Sequence, residues 1–281
     1  MKSRMASSLE PGLYIVATPI GNRGDITLRA IETLRGAAAI ACEDTRVTGQ
    51  LLRMFDIRNR LLRYDDHADE EARERLLVLA REAPVALVSD AGMPLISDPG
   101  YRLVREARES GVEVHAVPGA SALTAAVAVS GLPSDRFLFA GFLPAKTKAR
   151  ADMLAEFAGL DATLVFYESG PRLLASLEAI ASAFPEREVA VARELTKLHE
   201  ECRRGTAAGL AEHYGARPPK GEIVLLIGPP ATSEGEVSEA EVDGLLQEAL
   251  QTAKPSQAAA QVAKATGRDR KALYARALEL K

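Results

Sequence analysis

Cysteine and long apolar runs are scarce in this chain of 281 residues, and their scarcity excludes several protein classes. The two cysteines, Cys42 and Cys202, are far apart, and neither belongs to a Cys-x-x-Cys pair. We therefore expect reduced thiols in a cytoplasm, with neither a disulfide framework nor a metal site. No apolar run approaches the ~18 residues of a membrane span, and the start of the chain lacks the apolar core of a signal peptide. The sequence thus predicts a soluble cytoplasmic protein that contacts no membrane.

An excess of charge of one sign is also missing. The chain has 35 Lys and Arg against 39 Asp and Glu, a net charge of −4, while 47% of its residues are apolar. The apolar content is sufficient for hydrophobic cores. The chain has no overall positive charge, so any contact with RNA must be local. The C-terminal end is the exception. Residues 234–248 hold six acids and no base, whereas residues 254–281 hold seven bases and two acids, which predicts a small basic tail module of helices.

The glycine motifs that bind nucleotides are absent as well. The chain contains neither G-x-G-x-x-G nor G-x-x-x-x-G-K-[ST], which argues against a Rossmann dehydrogenase and a P-loop NTPase. Short apolar runs instead alternate with amphipathic stretches, and this rhythm predicts mostly parallel strands covered by helices. Strands are predicted over residues 13–17, 37–42, 85–89 and 112–117, then over residues 137–140, 163–167, 188–192 and 222–227, with a long helix over residues 68–83.

Four loops rich in glycine and proline follow predicted strands, at residues 18–25, 89–100, 117–121 and 166–172. Ligands of parallel α/β proteins gather at the carboxyl ends of the strands, so these loops are candidate binding elements. Each is also a tight turn for which Gly and Pro are needed on backbone grounds alone. Taken singly, no loop distinguishes the two interpretations.

The wording and order of the motifs resemble one family in particular. The motifs are residues 13–22 (LYIVATPIGN), 42–46 (CEDTR), 89–100 (SDAGMPLISDPG), 131–137 (GLPSDRF), 141–144 (GFLP), 166–169 (FYES), 192–197 (ARELTK) and 271–278 (KALYARAL). Together they resemble the ribosomal RNA small subunit methyltransferase I family, within the tetrapyrrole-methylase superfamily of S-adenosylmethionine enzymes. The resemblance implies two α/β domains, residues 1–122 and 123–232, with the cofactor in the cleft between them, and a helical module over residues 233–281. It also implies a homodimer.

The implied reaction is transfer of a methyl group from S-adenosylmethionine to the 2′-oxygen of a cytidine in the decoding region of small-subunit rRNA, free or in the assembled subunit. The candidate cofactor-binding residues are Pro19, Asp90, Ala91, Gly92, Met93, Ser121, Ala122, Tyr167 and Ile227. The candidate catalytic residues are Glu43, Asp44, Lys197 and Asp25. The candidate substrate-binding residues are Asn22, Arg46, Lys146, Lys148, Arg193 and Lys271.

Several of these residues have a structural alternative. Asp90 could cap a turn, and Ser121 and Asp25 could cap the helices that follow them. Two carboxylates directly after a buried strand are costly unless they are paired or functional, and Arg46 could neutralise one of them. Lys197 could bind phosphate or, if partly desolvated, accept a proton. The basic cluster at Lys146, Lys148 and Arg150 could be only a solvated face.

Two other functions compete with rRNA methylation. A methyltransferase of the same superfamily acting on a tetrapyrrole or precorrin would need a closed apolar cleft and no basic tail. A non-catalytic RNA-binding or ribosome-assembly factor would need basic patches but not the loop set around Asp90, Gly119 and Glu168. The basic tail distinguishes rRNA methylation from the tetrapyrrole alternative. A cofactor-binding assay distinguishes it from the non-catalytic alternative.

Overall fold

The computed structural model describes residues 9–65, 70–230 and 239–280, and contacts divide the chain into two units, Met1–Pro230 and Ala231–Lys281. The described part of the first unit contains two sheets of five strands each. That of the second unit contains helices alone. None of the described helices is long and apolar enough to cross a membrane.

The first sheet is parallel throughout, with strand order β3-β2-β4-β1-β5. Its strands are β1 (Gly12–Val16), β2 (Ala39–Cys42), β3 (Leu61–Arg63), β4 (Pro84–Leu87) and β5 (Val114–Val117), and the helices between and after them are α1 (Leu28–Gly36), α2 (Thr45–Met54), α3 (Glu70–Glu82), α4 (Tyr101–Glu109) and α5 (Ala122–Ser130). Both faces of β1 and β2 are buried, which explains their uninterrupted apolar runs. The predicted long helix is α3, and the start predicted for it at residues 68–69 lies outside the described residues.

The second sheet is mixed, with strand order β6-β7-β10-β8-β9. Its strands are β6 (Phe137–Phe142), β7 (Thr163–Ser169), β8 (Glu188–Arg193), β9 (Glu201–Thr206) and β10 (Glu222–Ile227), with helices α6 (Thr147–Glu156), α7 (Gly170–Ala183) and α8 (Ala207–Ala216). Only β6 and β7 pair in parallel, whereas the other three pairings are antiparallel. The expectation of mostly parallel strands is therefore wrong for this half of the unit.

Two edge strands, β3 and β9, were not predicted from the sequence. Strand β3 has three residues and no fully buried position. Strand β9 contains Arg203 and Arg204 and is mostly exposed, so it lacks the apolar pattern of a strand. It forms a hairpin with β8 through a loop too short to hold a crossover helix, and this is why the two strands run antiparallel.

Helix α5 follows the last strand of the first sheet and packs against the second sheet. Leu123, Ala126 and Val127 of this helix belong to one buried cluster with Val224 and Leu226 of β10. The other face of the second sheet packs in a separate core with α6, α7 and α8. Helix α5 thereby covers the second sheet, and the loop before it lies where the two sheets meet.

The helical tail module predicted from the sequence is confirmed. Its described helices are α9 (Glu239–Leu250), α10 (Pro255–Thr266) and α11 (Arg270–Glu279). They enclose a core of their own, formed around Leu246, Val262 and Leu273. Part of the acidic stretch, residues 234–238, lies outside the described residues, as does the terminal Lys281.

Candidate active site

A cavity of about 420 Å³ lies where the carboxyl ends of the first sheet face the second sheet. Residues from the loops after β1, β2, β4 and β5 line it on one side, and residues of β7, β8 and β10 line it on the other. The volume falls within the range of ordinary small-molecule sites. Of the predicted cofactor-binding residues, the cavity brings together Asp90, Ala91, Gly92, Met93, Ser121, Ala122 and Tyr167.

Carboxylates dominate the polar lining of the cavity. They are Glu43, Asp90, Asp98 and Glu222, and the described lining includes no lysine, arginine or histidine. Glu168 also borders the cavity, but its carboxylate is fully buried and hydrogen-bonded to Ser176 and Ser169. Apolar groups such as Ile20, Leu195 and Val224 supply the walls between them. A cavity of this composition favours a ligand with positive charge and an apolar body, and it disfavours a polyphosphate.

Two of the glycine-containing loops are held together directly at the cavity wall. Thr18 and Gly92 form an isolated antiparallel bridge, with N–H···O distances of 2.9 and 3.1 Å. Gly92 has a φ of +81°, and a Cβ there would lie 3.2 Å from Ile20 Cγ2. Its lack of a side chain therefore permits both the turn and the close packing. Pro19 lies in this stretch but does not line the cavity.

Backbone strain is concentrated beside the cavity. Four non-glycine residues in two loops have positive φ angles: Leu95 (+73°), Ser97 (+61°), Glu194 (+49°) and Thr196 (+65°). The loop after β4 carries the first pair and the loop after β8 the second. Such conformations persist only where surrounding contacts enforce them, and they cluster at functional sites.

Asp44 is committed to local structure beside Arg46. Its Oδ1 caps α2 by accepting from the Arg46 N–H at 2.8 Å, and its Oδ2 lies 2.7 Å from Arg46 Nη2. These hydrogen bonds hold the pKa of Asp44 far below its usual value. Asp44 is consequently a poor proton acceptor. Arg46 neutralises it, as the structural alternative for these residues predicted.

The pKa of Asp90 is shifted in the opposite direction to that of Asp44. Burial raises the pKa of Asp90, and the nearby charge of Asp44 raises it further, while a hydrogen bond from the Asp44 backbone N–H lowers it in part. The net shift is upward. A carboxylate with this bias gains from a positively charged partner in the cavity.

Lys197 lies at the rim and is held by two carboxylates. Its Nζ donates to Glu194 Oε1 and to Glu222 Oε2, each at 3.0 Å. Burial lowers the pKa of Lys197, but the hydrogen bonds to Glu222 and Glu194 outweigh it, so the pKa is raised. Lys197 is therefore protonated at neutral pH and is a poor base. Through Glu222 it contacts the cavity without lining it.

Glu43 and Asp25 complete the predicted catalytic set, and they occupy different places. Glu43 follows β2 and lines the cavity. Asp25 does not line it, and its Oδ2 is buried without a hydrogen-bond partner among the described residues. Asp25 is not the cap of α1, because Thr27 accepts from the Ala30 N–H at 3.1 Å. Of the four candidates, Glu43 alone faces the cavity.

Ser121, before α5, and Tyr167, in β7, both line the cavity. Ser121 precedes α5 but makes no capping hydrogen bond, so the capping alternative is not what the structure shows. Burial raises the pKa of Tyr167, and the charge of Asp98 adds to the shift, against a hydrogen bond from the Leu123 backbone. Tyr167 is therefore a neutral hydroxyl in the cavity wall.

Ile227 requires a correction. It was expected, as an apolar side chain, to form part of the cavity wall. Strand β10 is antiparallel to β7 and β8, so its amino end, with Glu222 and Ile223, lies at the cavity. Ile227 is fully buried at the other end, in the core with α6, α7 and α8.

The predicted substrate-binding residues lie outside the cavity. Asn22 caps a short 3₁₀ turn, and its N–H donates to Thr196 Oγ1 at 3.2 Å. Arg46, Lys146, Lys148 and Lys271 are exposed, with Lys148 2.8 Å from Asp152, and Arg193 Nε lies 2.6 Å from Glu201. Arg150, grouped with the lysines in sequence, is buried instead.

Several cavity residues were not singled out for the site from the sequence. Glu222, Asp98 and Phe142 are among them. Glu222 begins β10, whose antiparallel direction the sequence does not indicate. Phe142 lies in the motif of residues 141–144 but has no functional signal of its own. A signal existed for Asp98, since it lies in the loop of residues 89–100 that supplies much of the lining.

Comparison with known proteins gives consistent matches over both units. Residues 12–211 match the family described as Tetrapyrrole (Corrin/Porphyrin) Methylases, and residues 236–281 match the RsmI C-terminal HTH domain. A protein of Erythrobacter litoralis named Ribosomal RNA small subunit methyltransferase I is 65% identical over 98% of both chains. Proteins of the same name from Mesorhizobium japonicum and Escherichia coli O157:H7 are 51% and 46% identical, covering 98% and 99% of this chain and 94% and 99% of theirs.

Solved structures support the fold of the first unit. Diphthine synthase matches with a TM-score of 0.61 at 16% identity, over 77% of this chain and 89% of its own. A uroporphyrin-III-C-methyltransferase from Thermus thermophilus matches with a TM-score of 0.53 at 23% identity, over 78% and 94% of the two chains. At these identities the likeness concerns architecture alone.

Proposed function

Because the chain belongs to the ribosomal RNA small subunit methyltransferase I family, with a tetrapyrrole-methylase fold, we propose that it methylates the 2′-oxygen of a cytidine in the decoding region of small-subunit rRNA. The proposed methyl donor is S-adenosylmethionine, without a metal, and the proposed setting is a cytoplasmic homodimer. The observation that carries the proposal is the cavity of about 420 Å³ with four accessible carboxylates and no basic side chain in its described lining.

The residues present fit this cofactor. When bound, S-adenosylmethionine supplies a methyl group on a positively charged sulfonium, beside an ammonium group. Asp90, whose raised pKa marks an unbalanced carboxylate, would bind a cationic part of it. Gly92 permits close backbone approach, and Met93 with Ala122 provides apolar contact.

Glu43 is the proposed acceptor of the proton from the ribose hydroxyl. It lines the cavity, which Asp44, Lys197 and Asp25 do not. A sugar hydroxyl is poorly acidic, so its proton must be removed as the new bond forms. Asp25 and Asn22, in the loop after β1, are proposed to position ribose hydroxyls from outside the cavity lining.

The tail module is proposed to bind rRNA through α11. Arg270 and Lys271 are exposed in the first turn of this helix, where the helix dipole is unfavourable to positive charge. Their placement there is not explained by helix stability, but it suits contact with phosphates. A tetrapyrrole methyltransferase has no use for such a basic helix end. A non-catalytic assembly factor has no use for the acidic cavity.

Replacing Asp90 by Ala is expected to weaken binding of S-adenosylmethionine about 5- to 100-fold, because a charged partner in the cavity is worth roughly 1 to 3 kcal/mol. Calorimetry measures the change. The wild-type affinity should also fall as the pH is lowered through the raised pKa of Asp90, since protonation removes its charge. This loss begins at a higher pH than an ordinary aspartate would give.

The control for this prediction is Asp161→Ala, which removes an exposed carboxylate paired with Arg136. It should leave cofactor affinity unchanged. Equal affinities for Asp90→Ala and Asp161→Ala would return Asp90 to a turn-capping role. Absence of any binding heat for the folded wild-type protein would contradict the cofactor assignment itself.

The double variant Arg270→Gln/Lys271→Gln is expected to bind small ribosomal subunits about tenfold more weakly. The slope of log affinity against log salt should fall by about 1.4 to 1.8, the value for two lost phosphate contacts. Filter binding over a salt series gives both numbers. Arg75→Gln on α3 removes another exposed cation and should change neither. An unaltered slope in the double variant would show that α11 is not the RNA anchor.

A further inference from the structure

The side chain of Phe142 is an exposed aromatic at the cavity that the proposed chemistry has not used. It lines the cavity, yet 50% of its surface is accessible. A large apolar ring costs free energy in water, so a half-exposed ring inside a binding cavity indicates a surface that a ligand covers.

A β-bulge aims this ring at the cavity. Phe139 pairs with Val165 and Phe142 with Tyr167, so three steps along β6 oppose two along β7. Without the extra residue, Phe142 would share the face of Leu138 and Ala140, which pack towards the core with α6 and α7. Gly141 supplies the necessary φ of +69°. Bulges beside active sites commonly redirect one side chain in this way.

The redirected ring is held in a fixed orientation. The Phe142 and Tyr167 rings meet edge to face, with centroids 5.8 Å apart, and Phe139 meets Tyr167 in the same manner at 4.8 Å. Edge-to-face contact with Tyr167 leaves the accessible part of the Phe142 ring for another partner. A pre-ordered aromatic surface is what stacking on a planar group requires.

The surrounding charges indicate what kind of planar group this is. The cavity interior is acidic and repels phosphate, but Lys146 and Lys148 follow Phe142 within six residues and are exposed. The four residues from Phe142 to Lys146 span at most about 14 Å, so an aromatic surface and a cation lie within reach of one nucleotide and its neighbours. Aromatic stacking beside basic groups is how proteins bind unpaired RNA bases.

We propose that Phe142 is the stacking surface for the target nucleobase, which leaves its helix or loop and enters the mouth of the cavity while the phosphates remain at Lys146 and Lys148. The inference rests on the proposed function and adds the subsite that orients the nucleotide. Phe142 and Glu43 line the same cavity, so a base stacked on Phe142 would bring its ribose into the cavity that Glu43 lines. Enzymes acting on a nucleotide within structured nucleic acid need such a site for the extruded base.

The test is single-turnover methylation of isolated small ribosomal subunits that lack the modification, at saturating S-adenosylmethionine and varied enzyme concentration. Phe142→Ala should lower the rate at limiting enzyme about 5- to 100-fold, the usual effect of losing one base-stacking contact. Calorimetry should show cofactor affinity within twofold of wild type. Phe142→Trp should restore the rate, whereas Phe142→Leu, apolar but not aromatic, should not.

Phe137→Ala is the matched control, because Phe137 lies at the other end of β6 with 44% of its surface exposed and does not line the cavity. It should behave as wild type. The proposal is overturned if Phe142→Leu matches Phe142→Trp, or if Phe142→Ala loses cofactor affinity in proportion to rate, which would make the ring a cofactor contact. Failure of the wild-type protein to methylate the subunits while it binds cofactor would instead overturn the proposed function, and this inference with it.

Discussion

Replacing Glu43 by Gln is expected to lower the rate of methyl transfer about 10²- to 10⁴-fold, the usual cost of losing a general base. Glutamine keeps the size and polarity of the side chain but cannot take up the proton of the ribose hydroxyl. Cofactor affinity should stay nearly intact, since an interaction used only in the transition state contributes little to ground-state binding. Single-turnover methylation of small subunits across pH, with calorimetry of cofactor binding, measures both effects.

Asp44→Asn and Lys197→Ala serve as comparisons for Glu43→Gln. Asparagine also caps helices well, so Asp44→Asn should preserve α2 and cost little activity. Lys197→Ala removes two ion pairs at the rim and should reduce the rate far less than loss of a base would. If Glu43→Gln retained near wild-type rates, proton transfer would have to be assigned to Asp90 or Asp25. A large loss of rate in Asp44→Asn alone would identify Asp44 as the base, despite its ion pair with Arg46.

Replacing Glu168 by Ala is expected to lower the free energy of unfolding by about 3 kcal/mol, because it breaks a buried polar network. Glu168 is 3% exposed. Its Oε2 accepts from Ser176 Oγ at 2.6 Å, and its Oε1 accepts from the Ser169 N–H at 2.9 Å and lies 3.3 Å from Arg172 Nε. Alanine would leave these three groups without their shared acceptor. Urea titration measures the loss.

The controls for Glu168 separate the network from the loss of a glutamate in general. Glu178→Ala lies on the exposed face of the same helix, α7, and should change stability by less than about 0.5 kcal/mol. Ser176→Ala, which removes one of the two hydrogen-bond donors to Glu168, should cost about 1 kcal/mol. A Glu168→Ala protein as stable as Glu178→Ala would show that the network contributes nothing net to folding.

The part of the fold that follows local sequence rules could be predicted. Strands β1, β2 and β4 are buried on both faces, and their continuous apolar runs indicate parallel strands under helices. Strand direction in the second sheet could not be predicted, because β7, β8 and β10 are just as apolar, whichever way they run. The direction of a strand depends on the path of the connection that leads to it, and this path is a property of the tertiary structure.

The residues of the candidate site likewise fall into those that sequence rules predict and those that they do not. Asp90, Gly92 and Ser121 lie in loops after parallel strands, where the general rule for α/β proteins applies. Ile227 lies at the end of an antiparallel strand, where the rule points to the wrong edge of the sheet. The commitments of Asp44 and Lys197 could not be predicted either, because a list of charged residues does not show which charges meet.

The strained loops beside the cavity have a consequence for the search for more stable variants. At Leu95, Ser97, Glu194 and Thr196, glycine would adopt the observed φ without strain, a relief of roughly 1 kcal/mol at each position. Contacts oppose this relief at three of them, because Leu95 packs against a core, Glu194 accepts from Lys197 and Thr196 accepts from the Asn22 N–H, so the net gain is largest at Ser97. Selection for thermal resistance alone would therefore find its first improvements at the entrance to the cavity. Those same substitutions would loosen the loops that shape it. In this chain, a gain in thermal stability is expected to cost turnover at Ser97 above all, and a stabilised variant that keeps its activity should be sought away from these loops.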